Sequence, residues 1–568
     1  MNQTRVFLIF AWLMVATLLW VEWGKERAAP AQVPDATAAA PTAATSTVPT
    51  VGGATLPSVA AVPPAPPADA ATTTPSTSAT APPSSAQSVT VTTDVLRLVL
   101  DGGAIRSAEL LRYPQSTERN SAPVKLLDDS AAHFFSAQSG WVSQTGAAPN
   151  HETGFVPELS ARDAAMPRGG QGVDVSFIWQ GPNGVTIRRI FSLKRNNYAI
   201  NVRDEVVNAG TTPWQGYVYR QLLRNPPPSK SGLTNPEAYS FTGAAWYSPE
   251  EKYEKRNYDD FVDDGTLDRQ VKGGWIALLQ HYFFAAWIPS AEDATTFSLA
   301  TPPANGGTQY LIREIGPGVN VAPGTRAITE AKLWIGPKLQ DRLDDVAPGL
   351  ALSLDYGIFT FLAKPIAWLL AQLHKITSNW GWAIVLLVLL IKLALFPLSA
   401  AQYKSMAKMR KFQPRIAQLK ERYGDDKQKF QMATMELYKK EKINPVGGCL
   451  PVLLQMPIFL ALYWVLLETV ELRQAPWTLW IQDLTARDPY FILPVLNAAV
   501  MWATQKLSPA VGMDPMQQKM MQMMPLVFGV MFAFFPAGLV LYWVTNGSLG
   551  LLQQWWMTRR YSEVPAKA

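Results

Sequence analysis

The 568-residue chain contains one cysteine, Cys449, so no disulfide can close within it. Histidine is almost as scarce: His133, His151, His281 and His374 lie far apart, and none has a cysteine or a second histidine at metal-ligand spacing. Glycine-rich phosphate loops, the HExxH helix and the GxSxG elbow are missing. The enzyme classes legible from short motifs are therefore unsupported, and nothing calls for a cofactor or metal. Charge is thin as well: 17% of residues are charged against 48% hydrophobic, low for a soluble protein of this size. The net charge of +6 says less than its placement along the chain.

The length exceeds one hydrophobic core. Residues 1–27 open with Arg5, run apolar from Val6 to Val21, and carry Trp20 and Trp23 at the far edge. A cleaved signal peptide and a retained anchor both fit. The long run, the exit tryptophans and the lack of a small-x-small cleavage site favour the anchor. Residues 28–88 are Ala, Pro, Thr, Ser and Val with Asp35 and Asp69 as the only charges and no aromatics. Such a segment buries too little to offset its ordering entropy and reads as a disordered linker.

From 89 to 340 the composition turns to short β-branched runs: VTVTTDVLRLVLD, VDVSFIW, VTIRRIFSLK and YAINVRDEVV. GPNG, residues 181–184, separates the second from the third as a hairpin turn. GGWIALLQHYFFAAWIP, residues 273–289, has the aromatic density of a buried strand pair. The pattern predicts an all-β sandwich. No catalytic set groups here, and its Trp and Tyr residues fit core packing better than a sugar or peptide groove.

Beyond 350 apolar stretches dominate. Residues 350–376 read as an amphipathic helix lying in the membrane interface, with Phe361, Ile366, Leu369, Leu370 and Leu373 near one face; a true span also fits. Five further spans are predicted at about 380–398, 446–470, 489–507, 519–535 and 537–557, the last two turned at FPAG, 535–538, and followed by a short tail, 558–568. With the anchor this makes six. Loop 401–445 carries twelve Lys and Arg against five acids, net +7, whereas loop 471–488 is net −1. The positive-inside rule puts the basic loop in the cytoplasm, both termini inside, and the β-domain outside. The basic loop itself reads as a helical hairpin, with Pro414 expected to kink its first helix and Gly424–Asp426 turning and capping the second. A solvated basic face near anionic lipid and a docking surface for ribosomes or nascent chains fit it equally.

Lys392 lies inside LLVLLIKLALF, roughly 18 Å along its span at 1.5 Å per residue. An isolated charge there costs about 2.5–3.5 kcal/mol on insertion scales. Snorkelling to the inner headgroups is one answer; a water-filled cavity among the helices is the other. Gln455, Asn497, Thr504, Gln505, Asn546 and Ser548 in the other spans suit a wet groove, though each alone fits helix–helix adhesion. No acid in the spans pairs obviously with Lys392, since Glu468 falls near the outer end of its own span. Fourteen of the 17 methionines follow residue 400, six of them in 513–525, which fits either an adaptable apolar binding surface or plain core filling.

AQYKSMAKMRKFQPRI (401–416), NPVGGCLPVLLQMPIFLALYWVL (444–466), VELRQAPWTLWIQDL (470–484), DPMQQKMM (514–521) and FPAGLVLYW (535–543) carry a specific resemblance. From about 350 to 557 the chain resembles the YidC membrane protein insertases, relatives of the oxidase-assembly and Albino insertases. The anchor and external domain resemble the Gram-negative bacterial form. The resemblance implies a non-enzymatic insertase and chaperone of the bacterial inner membrane, working alone or with the Sec translocon on nascent membrane proteins, with the ribosome docking at the cytoplasmic loops. It implies a hydrophilic groove holding Lys392, Gln455, Asn497, Gln505, Tyr542, Trp543 and Asn546. It further implies an apolar slide at Pro457, Phe459, Met524 and Met531, and cytoplasmic docking through Lys408, Arg410, Lys411, Asp425, Asp426 and Lys427. Two departures stand out: lysine occupies the position where the family usually has arginine, and Trp543 stands where Tyr is common. A solute transporter with Lys392 as anion site is the competing class, disfavoured by the lack of an internal repeat. A carbohydrate sensor is a weaker third.

Overall fold

The computed structural model describes residues 88–159, 162–227, 240–263, 267–304, 307–402, 412–424, 426–441, 450–507 and 515–562, together with 50–51 and 54–55. The expected anchor, and the linker apart from those four residues, lie outside the described residues, as do Lys408, Arg410, Lys411 and Asp425.

Strand alternation builds the β-domain. Along Val185–Lys194 the odd-numbered residues Val185, Ile187, Arg189, Phe191 and Leu193 are buried and their neighbours are less so. This strand pairs antiparallel with Gly172–Gln180 across Gly181–Gly184, where Gly184 takes a φ of 76°. The hairpin belongs to a nine-stranded sheet with Ala199–Asn208, Arg326–Pro337, Phe283–Pro289 and Trp275–Leu279 in its middle. A ten-stranded sheet centred on Tyr310–Val321, Trp214–Arg224 and Phe135–Ser143 forms the second layer. The result is a β-sandwich. Every residue of Trp275–Leu279 and Phe283–Pro289 is buried, and Trp141, Trp275, Trp287 and Trp334 are among the largest fully buried side chains, so the tryptophans serve the core.

One inward position breaks the apolar rule. Arg189 grips Asp204 with Nε to Oδ1 at 2.7 Å and Nη2 to Oδ2 at 2.6 Å, and its Nη1 donates to the carbonyls of Gly102 and Ser139. Trp141 Nε1 donates to the same carboxylate at 2.7 Å. Because Ser139 and Trp141 come from the opposite layer, this charged pair fastens the two sheets together.

A short helix, α1 (Gln340–Val346), leads to α2 (Thr360–Thr377), α3 (Trp380–Ala394) and α4 (Phe396–Gln402). Then come α5 (Gln413–Tyr423), α6 (Lys427–Lys440), α7 (Leu450–Glu468), α8 (Ile492–Leu507), α9 (Pro515–Phe532) and α10 (Ala537–Ser562). The α2 helix packs on α3 and α7, α10 packs on α3 and α8, and α8 packs on α9. The packed face of α2 holds Ala363, Ala367, Leu370 and Leu373, of which Leu370 and Leu373 belong to the apolar stripe, whereas Phe361 is 72% exposed. Small residues let α2 approach its neighbours closely, which turns the bulky Phe361, Trp368 and Ile376 outward. The expected span 380–398 is also broken: α3 ends at Ala394, and α4 departs at 61°. Among the described residues no single helix is both long and apolar enough to cross a membrane; the bent α3–α4 pair meets that requirement only as a pair.

Within the basic hairpin, Asp426 caps α6, accepting from the backbone N–H of Gln428 and Lys429 at 3.1 and 3.0 Å. Those bonds hold its carboxyl below the usual range. Pro414 sits in the first turn of α5, where its missing N–H is harmless, rather than kinking a longer helix there.

The loop 471–488 clasps the helices. Asn379 starts α3 by accepting from Trp382 N–H, and its amide reaches the carbonyls of Pro476 and Trp477. Gly381 lets Trp477 lie on the backbone, since a Cβ there would stand 2.2 Å from the indole. Asp488, 1% exposed, accepts from Trp480 Nε1 and from the N–H groups of Tyr490 and Leu493 at the start of α8.

The β-domain is seated on this end of the helices. His281 Nε2 donates to the Leu467 carbonyl at 3.0 Å, and Lys338 Nζ stands 3.8 Å from Glu468, with both side chains almost fully buried. Burial holds the Lys338 ammonium below the usual lysine range, and Glu468 opposes that shift. Arg473 donates to the carbonyls of Pro114 and Gln115. Nearby, burial pushes the Glu471 carboxyl up to about 7, with Asp341 adding to the shift. A carboxyl raised on folding contributes stability that is present below about pH 4.3, its ordinary value, and is lost as pH rises through the folded value. The purified protein is expected to show a lower Tm at pH 8 than at pH 5, and Glu471→Gln to flatten that part of the slope. An unchanged slope in the variant would assign the dependence to other groups.

Candidate functional site

Lys392 lies in the last turn of α3, half-buried. Among the described residues it makes no ion pair and no hydrogen bond. Its nearest neighbour of note is Gly550 on α10, where a Cβ would stand 3.4 Å from Nζ. Glycine there leaves the ammonium an open wall. Asn546 lies one turn before Gly550 on the same side of α10, and Trp543 one turn before that.

Toward the N-terminal end of α10 the aromatics gather. The Phe459 ring on α7 lies 5.9 Å from Tyr542 and 4.8 Å from Trp543, and Phe532 on α9 lies 5.4 Å from Trp543. Phe459, expected on the apolar slide, is thus packed against two residues expected in the groove. Tyr542 is buried, and Trp543 is partly so.

The other expected groove residues have partners of their own or lie elsewhere along the helices. Asn497 is 1% exposed and directs its amide to Met501 Sδ at 3.8 Å. Gln505 donates to the Met521 carbonyl and so ties α8 to α9. Gln455 is half-buried on α7, close to Pro457, which lies inside that helix. The α9 methionines settle one alternative: Met520, Met521, Met523, Met524 and Met531 are all exposed, as are Leu526, Val527 and Val530. They present an apolar face outward and do not fill the core. Sequence reasoning missed Gly550; its place two turns after Trp543, on the helix with the polar Asn546, was the available signal.

The comparisons with known proteins decide the family. Residues 372–564 match the family described as 60Kd inner membrane protein, and residues 88–369 match the YidC periplasmic domain. The "Membrane protein insertase YidC" of Xanthomonas campestris pv. campestris is 57% identical over 573 residues, covering 100% of this chain and 99% of the relative. The protein of that name from Stenotrophomonas maltophilia is also 57% identical, covering 100% and 98%. The chain belongs to the YidC family. A crystal structure of an active YidC insertase aligns over 83% of this chain and 92% of that one, at 20% identity and a TM-score of 0.37. Membership makes the β-sandwich a periplasmic domain and places the chain in the bacterial inner membrane. The YidC family is one of insertases and not of enzymes.

Proposed function

We propose that this chain inserts newly made proteins into the inner membrane and helps them fold, alone or beside the Sec translocon. The observation that carries this reading is Lys392, a half-buried cation without a partner among the described residues, facing a glycine-lined wall. A cation so placed is satisfied by a transient anionic visitor. Acidic stretches in the tail of an incoming chain supply that charge, and the apolar segment leaves along the outward face of α9 and along α7. Burial of about 20 apolar residues in lipid drives the step, and no nucleotide is required. The groove must be wet, because a desolvated lysine sheds its proton where arginine would not.

The topology that goes with this reading has six spans with both termini inside and α2 lying in the interface. Its support is the net +7 of loop 401–445 against −1 in loop 471–488. The cytoplasmic hairpin is then the contact for ribosome and nascent chain, with Asp426 and Lys427 at its turn.

Photocrosslinking from position 392 tests the reading in a probe-bearing variant that supports growth. Nascent chains with acidic tails should crosslink during synthesis and not after release. Crosslinks to lipid alone would mean that position 392 meets headgroups and not clients. A second test uses Gly550. Gly550→Asp would place a carboxylate beside Nζ, and insertion of acidic-tailed clients should fall to the level of Lys392→Ala. Neutral-tailed clients should be spared. An equal loss for both would show damage to packing instead.

A further inference from the structure

Met520, Met521, Met523 and Met524 crowd into little more than one turn of α9, and they are 49%, 40%, 51% and 43% exposed. Residues three and four apart on a helix are neighbours, so Met520 lies beside Met523 and Met524, and Met521 joins the patch through Met524. Gln505 holds the backbone here by donating to the Met521 carbonyl, so the thioethers project from a fixed stretch. The packed side of α9 is elsewhere: Pro525 is buried, and Phe528 stacks on Phe532. The patch straddles a boundary in the sequence. Before it stand Gln517, Gln518 and Lys519, and Gln522 lies inside it, whereas PLVFGVMF, residues 525–532, holds no polar side chain. Polar side chains are costly in hydrocarbon, so a helix of this pattern leaves the lipid at the methionines. Met531 is nearly as exposed, at 38%, but lies about two turns deeper, beyond Leu526, Val527 and Val530. Met557 is buried, at 2%. Leucine would supply a similar apolar volume without a reactive atom. Besides flexibility, methionine adds a sulfur open to oxidation.

We propose that these methionines are a reversible oxidation site through which hydrogen peroxide closes the insertase. The thioether sulfur attacks one peroxide oxygen, the O–O bond breaks, an S–O bond forms, and the other oxygen leaves as water. The sulfur gives up two electrons and the peroxide takes them. The sulfoxide is a strong hydrogen-bond acceptor, and on the face by which a client's apolar segment leaves it would be buried unpaired against that segment. The oxidised face therefore no longer accepts an apolar helix. Methionine sulfoxide reductases restore the thioether, with two thiols oxidised to a disulfide and the oxygen released as water. Placement at the water edge lets a polar oxidant and a soluble reductase reach the cluster, while Met531 is shielded by lipid. The proposal rests on the insertase reading and adds a control to it.

The test uses the full chain in proteoliposomes, with Cys449→Ser so that no thiol responds. A graded dose of peroxide is added and then destroyed by catalase before a methionine-free client is supplied. Mass spectrometry should find oxygen on Met520, Met521, Met523 and Met524 first, on Met531 later and on Met557 last. Insertion, scored by protease protection, should fall about tenfold as the cluster is oxidised, the order expected for one unpaired buried polar group. Reductases for both sulfoxide epimers should restore it. Met520→Leu, Met521→Leu, Met523→Leu and Met524→Leu combined should make insertion insensitive to peroxide, measured against that variant's own untreated level. An equal loss in the combined variant would overturn the proposal, as would uniform oxidation of all the methionines or a loss that the reductases do not reverse. Should the combined variant not insert even untreated, the dose series on the parent decides: insertion must fall in step with the cluster and not with Met531. Failure of the untreated parent to insert rejects the insertase reading, whereas undiminished insertion by a parent oxidised at the cluster rejects the oxidation switch alone.

Discussion

Lys392→Ala should cut insertion of an acidic-tailed client into proteoliposomes about tenfold, while Lys392→Arg retains it. Two unit charges 4 Å apart attract by about 1 kcal/mol in bulk water and about 4 kcal/mol at the effective dielectric of a protein surface. A wet groove falls between these limits, and about 1.4 kcal/mol corresponds to tenfold. Salt should weaken the same attraction, so the advantage of acidic over neutral tails should shrink as ionic strength rises. Protease protection of the translocated tail reads both effects. Loss of acidic- and neutral-tailed clients in equal measure would sink the electrostatic account and leave Lys392 a packing residue.

The second large effect concerns stability. Arg189→Ala removes two bonds to Asp204 and two to backbone carbonyls, and leaves the Asp204 carboxylate buried at 2% exposure. Breaking a buried pair from one side costs about 3–5 kcal/mol. For a domain of this size the β-sheet transition should fall by about 10 °C. The adjacent Arg188 is the control. It pairs with Glu158 at 2.8 Å, but its side chain is 46% exposed, and Arg188→Ala should cost less than about 1 kcal/mol. Comparable losses from the two neighbours, measured by thermal circular dichroism, would refute the assignment of Arg189 as the fastener between layers.

That pair also shows what the sequence made legible. In VTIRRIFSLK the period-two pattern places position 189 inward, so the buried arginine could be located by alternation, but its partner in another strand could not. The hairpin at residues 181–184 and the cap at Asp426 were readable because their signals are local: a glycine that accepts positive φ, and a carboxylate before a helix. The packed face of α2 was not legible, because hydropathy marks the largest apolar side chains, whereas close helix approach is set by Ala363 and Ala367. The break after Ala394 did leave a mark in the sequence: Pro397 cannot donate back into α3 and suits the first turn of α4. Lys392 was conspicuous as one charge in an apolar run. Gly550 was silent, because its value lies in the space it leaves for a residue more than 150 positions away.

The seat of the β-domain on Glu468 imposes an order on biogenesis. Lys338 and Glu468 are separated by roughly 130 residues, so at translation rates of about 5–20 residues per second one waits on the order of ten seconds for the other. During that interval the completed sandwich carries His281 and Lys338 without their cover, and the last turn of α7 is the part that closes it. A chain stalled or truncated before Glu468 would keep that polar patch open. Closure of the seat is therefore a completion mark: it forms only once the chain has reached the end of α7.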